Sequence, residues 1–225
     1  MYDFIVTGSE GFLGIPLVNF LEKKGFSVLR LDIQNGCDLS KPEVVESIFR
    51  ENRARNLVNL FALNDKVEES GFSSTFLDFD LSEFRRTLDI NVISLFSVCR
   101  EFIRNNTGGH IVNFSSIYAL RSPDPRIYET GEKPIGYGVS KAAVSQLSRH
   151  LATHTAPNFR INTIVLGGVR EDQDENFVQR YSQKVPLGRM GNPNDIHEAV
   201  LFLTSESSSY ITGSEVLIDG GLNSW

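Results

Sequence analysis

Cysteine is nearly missing from this chain. Two residues among 225, Cys37 and Cys99, cannot build a disulfide framework, and their spacing suits no zinc site. Each is expected to be a small buried apolar residue, and no metal site is expected. Long apolar runs are missing as well. Stretches such as Ala199–Leu203 fall far short of the roughly 20 residues that cross a bilayer, so no membrane partner is expected. The opening Tyr2-Asp3-Phe4-Ile5-Val6 reads as a strand and lacks the charged-then-apolar order of a secretory signal, which makes the cytoplasm the expected compartment. Positive charge is in deficit: 22 Lys and Arg face 28 Asp and Glu, a net charge of −6. Nucleic acid needs a basic surface, so the charge argues against it as a partner. Internal repeats and low-complexity linkers are absent, and the length suits one large core, so residues 1–225 are expected to form a single domain holding every site.

What the chain does have is a steady alternation of strand-like and helix-like segments. Strands are expected at Tyr2–Thr7, Ser27–Asp32, Asn56–Phe61, His110–Phe114, Arg160–Val165 and Glu215–Ile218. Helices are expected near residues 11–24, 41–53, 81–105, 135–155 and 193–205. The third helix is the clearest, with Phe84, Leu88, Val92, Leu95, Phe96, Cys99 and Ile103 recurring along one face. Asp80 and Glu83 suggest a capping box at its start. The pattern predicts an α/β fold: a Rossmann-type, doubly wound parallel sheet of about six to seven strands with helices on both faces. Two segments, 63–80 and 117–136, interrupt the alternation at what would be the carboxyl edge of such a sheet, where doubly wound folds bind ligands.

Thr7-Gly8-Ser9-Glu10-Gly11-Phe12-Leu13-Gly14 follows a strand and opens a helix. Gly8 permits the tight turn, Gly11 lets backbone approach a pyrophosphate, and Gly14 lets helix pack on strand. The whole stretch, Glu10, Phe12 and Leu13 included, is therefore assigned to a dinucleotide whose phosphates lie at the helix start. The next strand ends in Asp32, whose carboxylate can accept from both adenosine ribose hydroxyls of NAD while repelling the extra phosphate of NADP. Arg30, two residues earlier on the same face, is the one nearby cation that would weaken this preference. Cys37, Asp38 and Leu39 are placed to bracket the adenine, although Asp38 also reads as a cap for the helix that follows.

Tyr137 and Lys141 stand four apart, so on a helix they share a face. A nearby ammonium favours the phenolate and makes Tyr137 a usable acid/base. Upstream, His110-Ile-Val-Asn-Phe-Ser-Ser116 reads as a buried strand ending in hydroxyls, and Asn91 sits mid-helix among apolar neighbours. With these pieces in order, the sequence resembles the short-chain dehydrogenase/reductase family over nearly its whole length. Ile161-Asn-Thr-Ile-Val-Leu-Gly-Gly168, Val185-Pro-Leu-Gly-Arg-Met-Gly-Asn-Pro-Asn-Asp-Ile196, Ser209-Tyr-Ile-Thr-Gly213 and Ile218-Asp-Gly-Gly221 extend the likeness.

The resemblance implies an NAD-dependent oxidoreductase that moves a hydride between nicotinamide and a secondary alcohol or ketone. Tyr137 would exchange the proton, Lys141 would lower its pKa and bind the nicotinamide ribose, and Ser116 would orient the substrate oxygen. Asn91 would hold a water linking Lys141 to solvent. Gly167, Gly168 and Val169 would line the nicotinamide through backbone groups. The chain departs from the family in its glycine spacing, which is that of the longer sugar-nucleotide branch. It also carries Asn59-Leu60-Phe61-Ala62 where Asn-Asn-Ala-Gly is usual, which leaves Asn59 as the polar cofactor contact there. Leu166-Gly167 replaces Pro-Gly, and the short segment between the second and fourth family strands implies a vestigial third strand.

The stretch from Ser116 to Tyr137 is lengthened by an insertion that resembles those of proteins from bacterial surface-sugar and flagellin-glycan gene sets. Arg121, Asp124, Arg126, Tyr128 and Glu129 on one loop suit a sugar or sugar derivative, with Arg121 or Arg126 reaching the ligand; packing against a neighbouring subunit is the other reading. A sugar-nucleotide epimerase or dehydratase, or a catalytically silent dinucleotide sensor, are the alternatives in function. A homodimer or homotetramer is expected, because the helices near 81–105 and 135–155 carry more apolar residues than one sheet face can cover. Trp225 is expected to pack on a partner subunit.

Overall fold

The computed structural model describes residues 1–64, 76–128 and 132–225. Most of the 63–80 excursion, and Glu129, lie outside the described residues. The strands are β1 (Tyr2–Thr7), β2 (Val28–Leu31), β3 (Ala54–Asn59), β4 (Gly109–Ser116), β5 (Phe159–Leu166) and β6 (Glu215–Ile218). They form one parallel sheet in the order β2-β1-β3-β4-β5-β6. No further strand lies beyond β2 among the described residues, so the expected vestigial strand is missing there and β2 is the edge.

Helices α1 (Gly14–Lys23), α2 (Pro42–Glu51), α3 (Leu81–Leu88), α4 (Leu95–Asn105), α5 (Ile135–Thr155), α6 (Glu175–Ser182) and α7 (His197–Leu203) complete the framework. The period-two rule assigns the faces. Ile5, Leu57 and Ile111 pack with α2, α4 and α5, whereas Phe4, Val6, Val58 and Val112 pack with α1 and α7. Strands buried on both sides read as nearly continuous apolar runs, as Phe4-Ile5-Val6 does. A third apolar cluster lies beyond the carboxyl edge. Ile117 and Ile127 of the insertion meet Tyr181 and Val185 of the α6 region and Leu222 near the end of the chain.

The sheet reverses direction at β1. The chain runs outward from β1 to β2 through α1, then crosses back through α2 to β3 on the other side of β1. The loops leaving β1 and β3 therefore diverge and open a crevice at their carboxyl ends, the switch point where such sheets bind ligands.

A buried polar ladder fixes the spacing across that point. Thr7 Oγ1 donates to Asn59 Oδ1 (2.9 Å), Asn59 Nδ2 to Asn113 Oδ1 (2.8 Å), and Asn113 Nδ2 to Ser148 Oγ on α5 (2.9 Å). Each of these groups gains a partner, which is the condition for a buried network to stabilise one arrangement. The ladder also overturns one expectation. Asn59 is turned into the interior and its amide is consumed there, so its side chain is not a cofactor contact. Leu60, Phe61 and Ala62 present themselves to the crevice instead.

The long third helix forms as expected but widens at Asp89–Ser94 into a π-helical turn between α3 and α4, an irregularity common near functional sites. Asp80 caps α3 through the Ser82 amide. Glu83 pairs with Arg86 (3.2 Å) rather than reaching back, so Asp80 caps the helix but the expected capping box does not form.

Candidate active site

The crevice is a cleft of about 730 Å³, a volume typical of small-molecule sites. Its floor at one end is the glycine loop. Gly8 has φ +70°, and a Cβ there would lie 2.6 Å from the Phe61 nitrogen. A Cβ on Gly14 would lie 2.0 Å from the Gly8 carbonyl oxygen, so the helix start and the turn can approach only with glycine at both positions. Gly11 differs: a Cβ would meet only the Gly8 oxygen, at 3.3 Å, and the rest of the space opens to the cleft. This fits the assignment of Gly11 to close approach by a ligand. Phe12 and Leu13 line the same end, whereas Glu10 does not. Its carboxylate accepts from Ser9 Oγ (3.0 Å), and its backbone braces Asp32.

Asp32 is buried at the end of β2. One carboxylate oxygen accepts from the Glu10 amide (3.1 Å) and the other from the Gln34 amide (2.9 Å). The same carboxylate forms a capping box with Asn35 in the turn that follows, and Asp32 lines the cleft. Arg30 is engaged elsewhere, 2.7 Å from Glu22. Asp38 also lines the cleft. It accepts from the amide and hydroxyl of Ser40 and pairs with Lys41 (3.3 Å), contacts that hold its carboxyl below the usual range. It thus closes the turn before α2, although Lys41 and not Asp38 is the N-cap residue. Leu39 borders the cleft but is buried in the core beneath it.

At the other end, β4 delivers Ser116 and α5 delivers Tyr137 and Lys141 to the same wall. Lys141 is fixed by Ser115 on the adjoining strand, whose hydroxyl donates to the Lys141 carbonyl (2.7 Å). Its own Nζ donates to the Phe114 carbonyl (2.9 Å). Burial pushes the Lys141 pKa down to about 8. Desolvation pushes the Tyr137 phenol up to about 12, and a hydrogen bond from Ser116 opposes that rise. Burial thus sets the direction at Tyr137, the residue whose pKa Lys141 is expected to lower. The Lys141 Nζ lies 5.7 Å from the tyrosine ring centroid.

Asn91, in the π-helical turn, is almost wholly buried. Its amide accepts from the Leu63 N–H (2.7 Å) and donates to the Leu63 carbonyl (3.0 Å) and to Ser140 Oγ (3.0 Å). Both amide hydrogens are consumed, so the side chain clamps the segment after β3 onto α5 rather than donating to a water. Gly167, Gly168 and Val169 do line the cleft. The Gly168 N–H is held by the Tyr181 hydroxyl, and a Cβ on Gly168 would lie 2.6 Å from the tyrosine ring.

Of the insertion residues expected at the ligand, Tyr128 lines the cleft, whereas Arg121, Asp124 and Arg126 do not. Arg121 donates to the Leu222 carbonyl (2.6 Å) and so ties the insertion to the chain end. Arg126 is 82% exposed and pairs with Asp124 (2.9 Å), which Lys184 also contacts at 2.6 Å. What lines the cleft is Tyr118, Tyr128 and Lys133, together with Phe177 and Tyr181 from α6. The hydroxyls of Tyr118 and Tyr128 bond each other at 2.9 Å. Of these only Tyr128 was singled out in the sequence; Tyr118, Lys133 and α6 itself were missed. A Tyr in an insertion has no periodic or spacing signal, although Phe177 and Tyr181 at i, i+4 on an otherwise polar stretch were a legible hint. Trp225 docks on its own chain, its Nε1 donating to the Lys184 carbonyl (3.1 Å) while the ring stays 75% exposed.

Residues 23–223 match the family model described as Enoyl-(Acyl carrier protein) reductase. A short-chain type dehydrogenase/reductase of Sinorhizobium fredii is 30% identical over 96% of this chain, and the match spans 43% of that protein's length. The chain belongs to the short-chain dehydrogenase/reductase family. The 3-oxoacyl-(acyl-carrier-protein) reductase of Rickettsia conorii is likewise 30% identical, over 97% of this chain and 95% of its own. A solved short-chain dehydrogenase from Leptospira borgpetersenii, with bound NAD+, has a TM-score of 0.88 and 30% identity over 99% of this chain and 93% of that one. As a member of this family the protein is an oxidoreductase, and the family works with a nicotinamide cofactor. No helix among the described residues is long and apolar enough to cross a membrane, and no cluster of metal-ligating side chains occurs among them.

Proposed function

We propose that this short-chain dehydrogenase/reductase is NAD(H)-dependent and interconverts a secondary alcohol and a ketone on a sugar or sugar derivative. The observation that carries the reading is the cleft itself. It runs from Asp32 over the glycine loop to Ser116, Tyr137 and Lys141. The bound nicotinamide would supply or accept the hydride; everything else falls to the chain. The Ser116 hydroxyl holds the substrate oxygen, and Tyr137 gives that oxygen a proton during reduction. A phenol kept protonated by burial is in the right state for that step. Oxidation needs the phenolate, which Lys141 favours while it carries its charge. Gly8, Gly11 and Gly14 admit the pyrophosphate, and the Asp32 carboxylate at the cleft wall accepts from the ribose hydroxyls.

NAD is preferred to NADP in this reading because a 2′-phosphate would meet the Asp32 carboxylate while Arg30 is held by Glu22. Close like charges correspond to a preference on the order of a hundredfold. Titrating NADH and NADPH against protein fluorescence at matched ionic strength tests this; tighter NADPH binding, or an Asp32→Ala variant with unchanged selectivity, overturns it. The substrate half supports a polyhydroxylated ligand, since the Tyr118 and Tyr128 hydroxyls, Asn64, Lys133 and Gln173 offer donors and acceptors around it. Following NADH absorbance with a panel of keto-sugars tests that part, with a 3-oxoacyl thioester included because the Rickettsia relative is named for one. Isomerisation of a sugar without net NADH change would favour an epimerase, and no turnover at all a silent sensor.

A homo-oligomer belongs to the same proposal. Ile93 and Phe96 of the π-turn and α4, and Val139 of α5, are exposed apolar residues on the two helices expected to pair. A monomeric mass by light scattering at micromolar concentration would overturn it. Cytoplasmic residence also remains part of this reading, and is supported by two cysteines that are both free.

A further inference from the structure

Tyr137 has a second ammonium beside it. Lys133 Nζ lies 4.8 Å from the tyrosine ring centroid, nearer than the 5.7 Å of Lys141. It comes from the end of the insertion and donates to Asn64 Oδ1 (2.8 Å). Asn64 in turn follows Leu63, whose backbone the Asn91 amide grips at both ends. A chain of contacts thus runs from the π-helical turn through the segment after β3 to the ammonium on the tyrosine.

We propose that Lys133, anchored by Asn64, is a positioning residue for Tyr137: its ammonium lies on the phenol ring and, with Lys141, stabilises the phenolate. The inference deepens the proposed acid/base role of Tyr137 and rests on it. Facing Tyr137 are Lys141 on its own helix, Ser116 at the end of β4, Tyr118 in the turn that follows, Tyr128 in the insertion, and Lys133. Ser116 and the two lysines favour the phenolate; burial and the neighbouring phenols oppose it. Lys141 is deeply buried, and desolvation penalises its charge. Lys133 is only half-buried, so water helps to carry its charge, and an ammonium at this distance from an aromatic face is attracted by the ring itself. The division of labour follows. Lys141 reaches deep to the strand carbonyl, while Lys133 holds positive charge on the tyrosine from the mouth of the cleft.

The test reads the tyrosine directly, so it succeeds or fails whether or not a substrate is known. The full-length protein is labelled with 13Cζ-tyrosine, saturated with NAD+, and titrated by NMR, with the Tyr137 resonance assigned by its loss in Tyr137→Phe. Lys133→Met is expected to move the onset of Tyr137 titration upward by about one pH unit, the low end of what a nearby opposite charge does. Lys133→Arg is expected to keep the wild-type onset, and Asn64→Ala to give a smaller upward move. An unchanged onset in Lys133→Met overturns the proposal, as does an equal upward move in Lys133→Arg, which would mean a structural effect of the site rather than its charge. Should NAD+ fail to bind, the cofactor reading falls, and the same titration of the unliganded protein still decides the role of Lys133.

Discussion

The two ends of the cleft are built by different rules. The cofactor end consists of backbone constraints at the switch point of the sheet, where Gly8 and Gly14 leave no room for a side chain and Asp32 braces the loop from the neighbouring strand. The substrate end consists of side chains drawn from the insertion and α6, backed by an apolar cluster that also takes in Leu222 near the chain end. The first end tolerates little change because its shape is the fold's shape. The second can be varied without touching the sheet, and this explains how one framework serves many substrates.

The chemistry sits between the two ends and carries the largest expected effect. Tyr137→Phe removes the proton donor and little volume. Turnover should fall by at least about a hundredfold, the usual scale for a positioned acid/base, while NADH affinity by fluorescence titration stays within error. A variant retaining most of its turnover would show that the proton comes from elsewhere.

The glycines sharpen the contrast within the cofactor end. Gly14→Ala forces a Cβ to within 2.0 Å of the Gly8 carbonyl, so the backbone must move. A loss of roughly 2–3 kcal/mol in unfolding free energy is expected from such overpacking. Gly11→Ala meets only one atom, at 3.3 Å, and should melt close to the wild type yet bind NADH far more weakly. Equal losses of stability in the two variants would erase the distinction between a packing glycine and a ligand glycine.

Much of this was legible in the sequence for reasons the structure makes concrete. The strands were readable because parallel strands buried on both faces are apolar throughout, and the glycine loop because steric exclusion leaves one residue type. Asn91 was recognisable as an amide out of place, but its partner, the Leu63 backbone, could not be foreseen from residues 28 positions apart. Asn59 misled for the converse reason: an asparagine at the end of a strand points either to the cleft or to the core, and the partners that decide it, Thr7 and Asn113, lie on other strands. The substrate end was least legible, since the cluster that shapes it joins segments as far apart as Ile117 and Leu222.

Lys141 links function to stability with a definite sign. Its folded pKa of about 8 lies below its ordinary value of 10.5. Below about pH 8 the ammonium is charged in both states, and burying it costs on the order of 3 kcal/mol. Between 8 and 10.5 the unfolded chain binds more protons than the folded one, so wild-type stability from this group rises with pH. Lys141→Met should therefore be inactive but more stable than the wild type at pH 7, less the roughly 1 kcal/mol of the lost bond to Phe114. The advantage should shrink as pH rises from 8 and be gone above 10.5. Denaturant melts at pH 7, 8.5 and 10 check it, and a variant less stable at pH 7 would mean that the ammonium holds the site together instead.

The smallest expected effect falls where the sequence suggested a large one. Arg126 stands in an insertion rich in ligand-friendly residues, yet its guanidinium is 82% exposed and bonds Asp124 through both Nε and Nη2, at 2.9 Å each. Asp124 has a second cation, Lys184, at 2.6 Å, so its carboxylate stays paired when Arg126 is removed. Its Oδ1 also accepts from the Arg126 amide, a backbone contact that survives substitution. Arg126→Ala therefore leaves no buried charge alone and removes nothing that lines the cleft. Exposed pairs contribute little, and KM for whichever substrate the panel identifies should change by less than about twofold. Lys133→Ala, on the cleft wall, should change it more. A large KM rise in Arg126→Ala with NADH affinity intact would show that the insertion closes over the substrate and carries Arg126 inward.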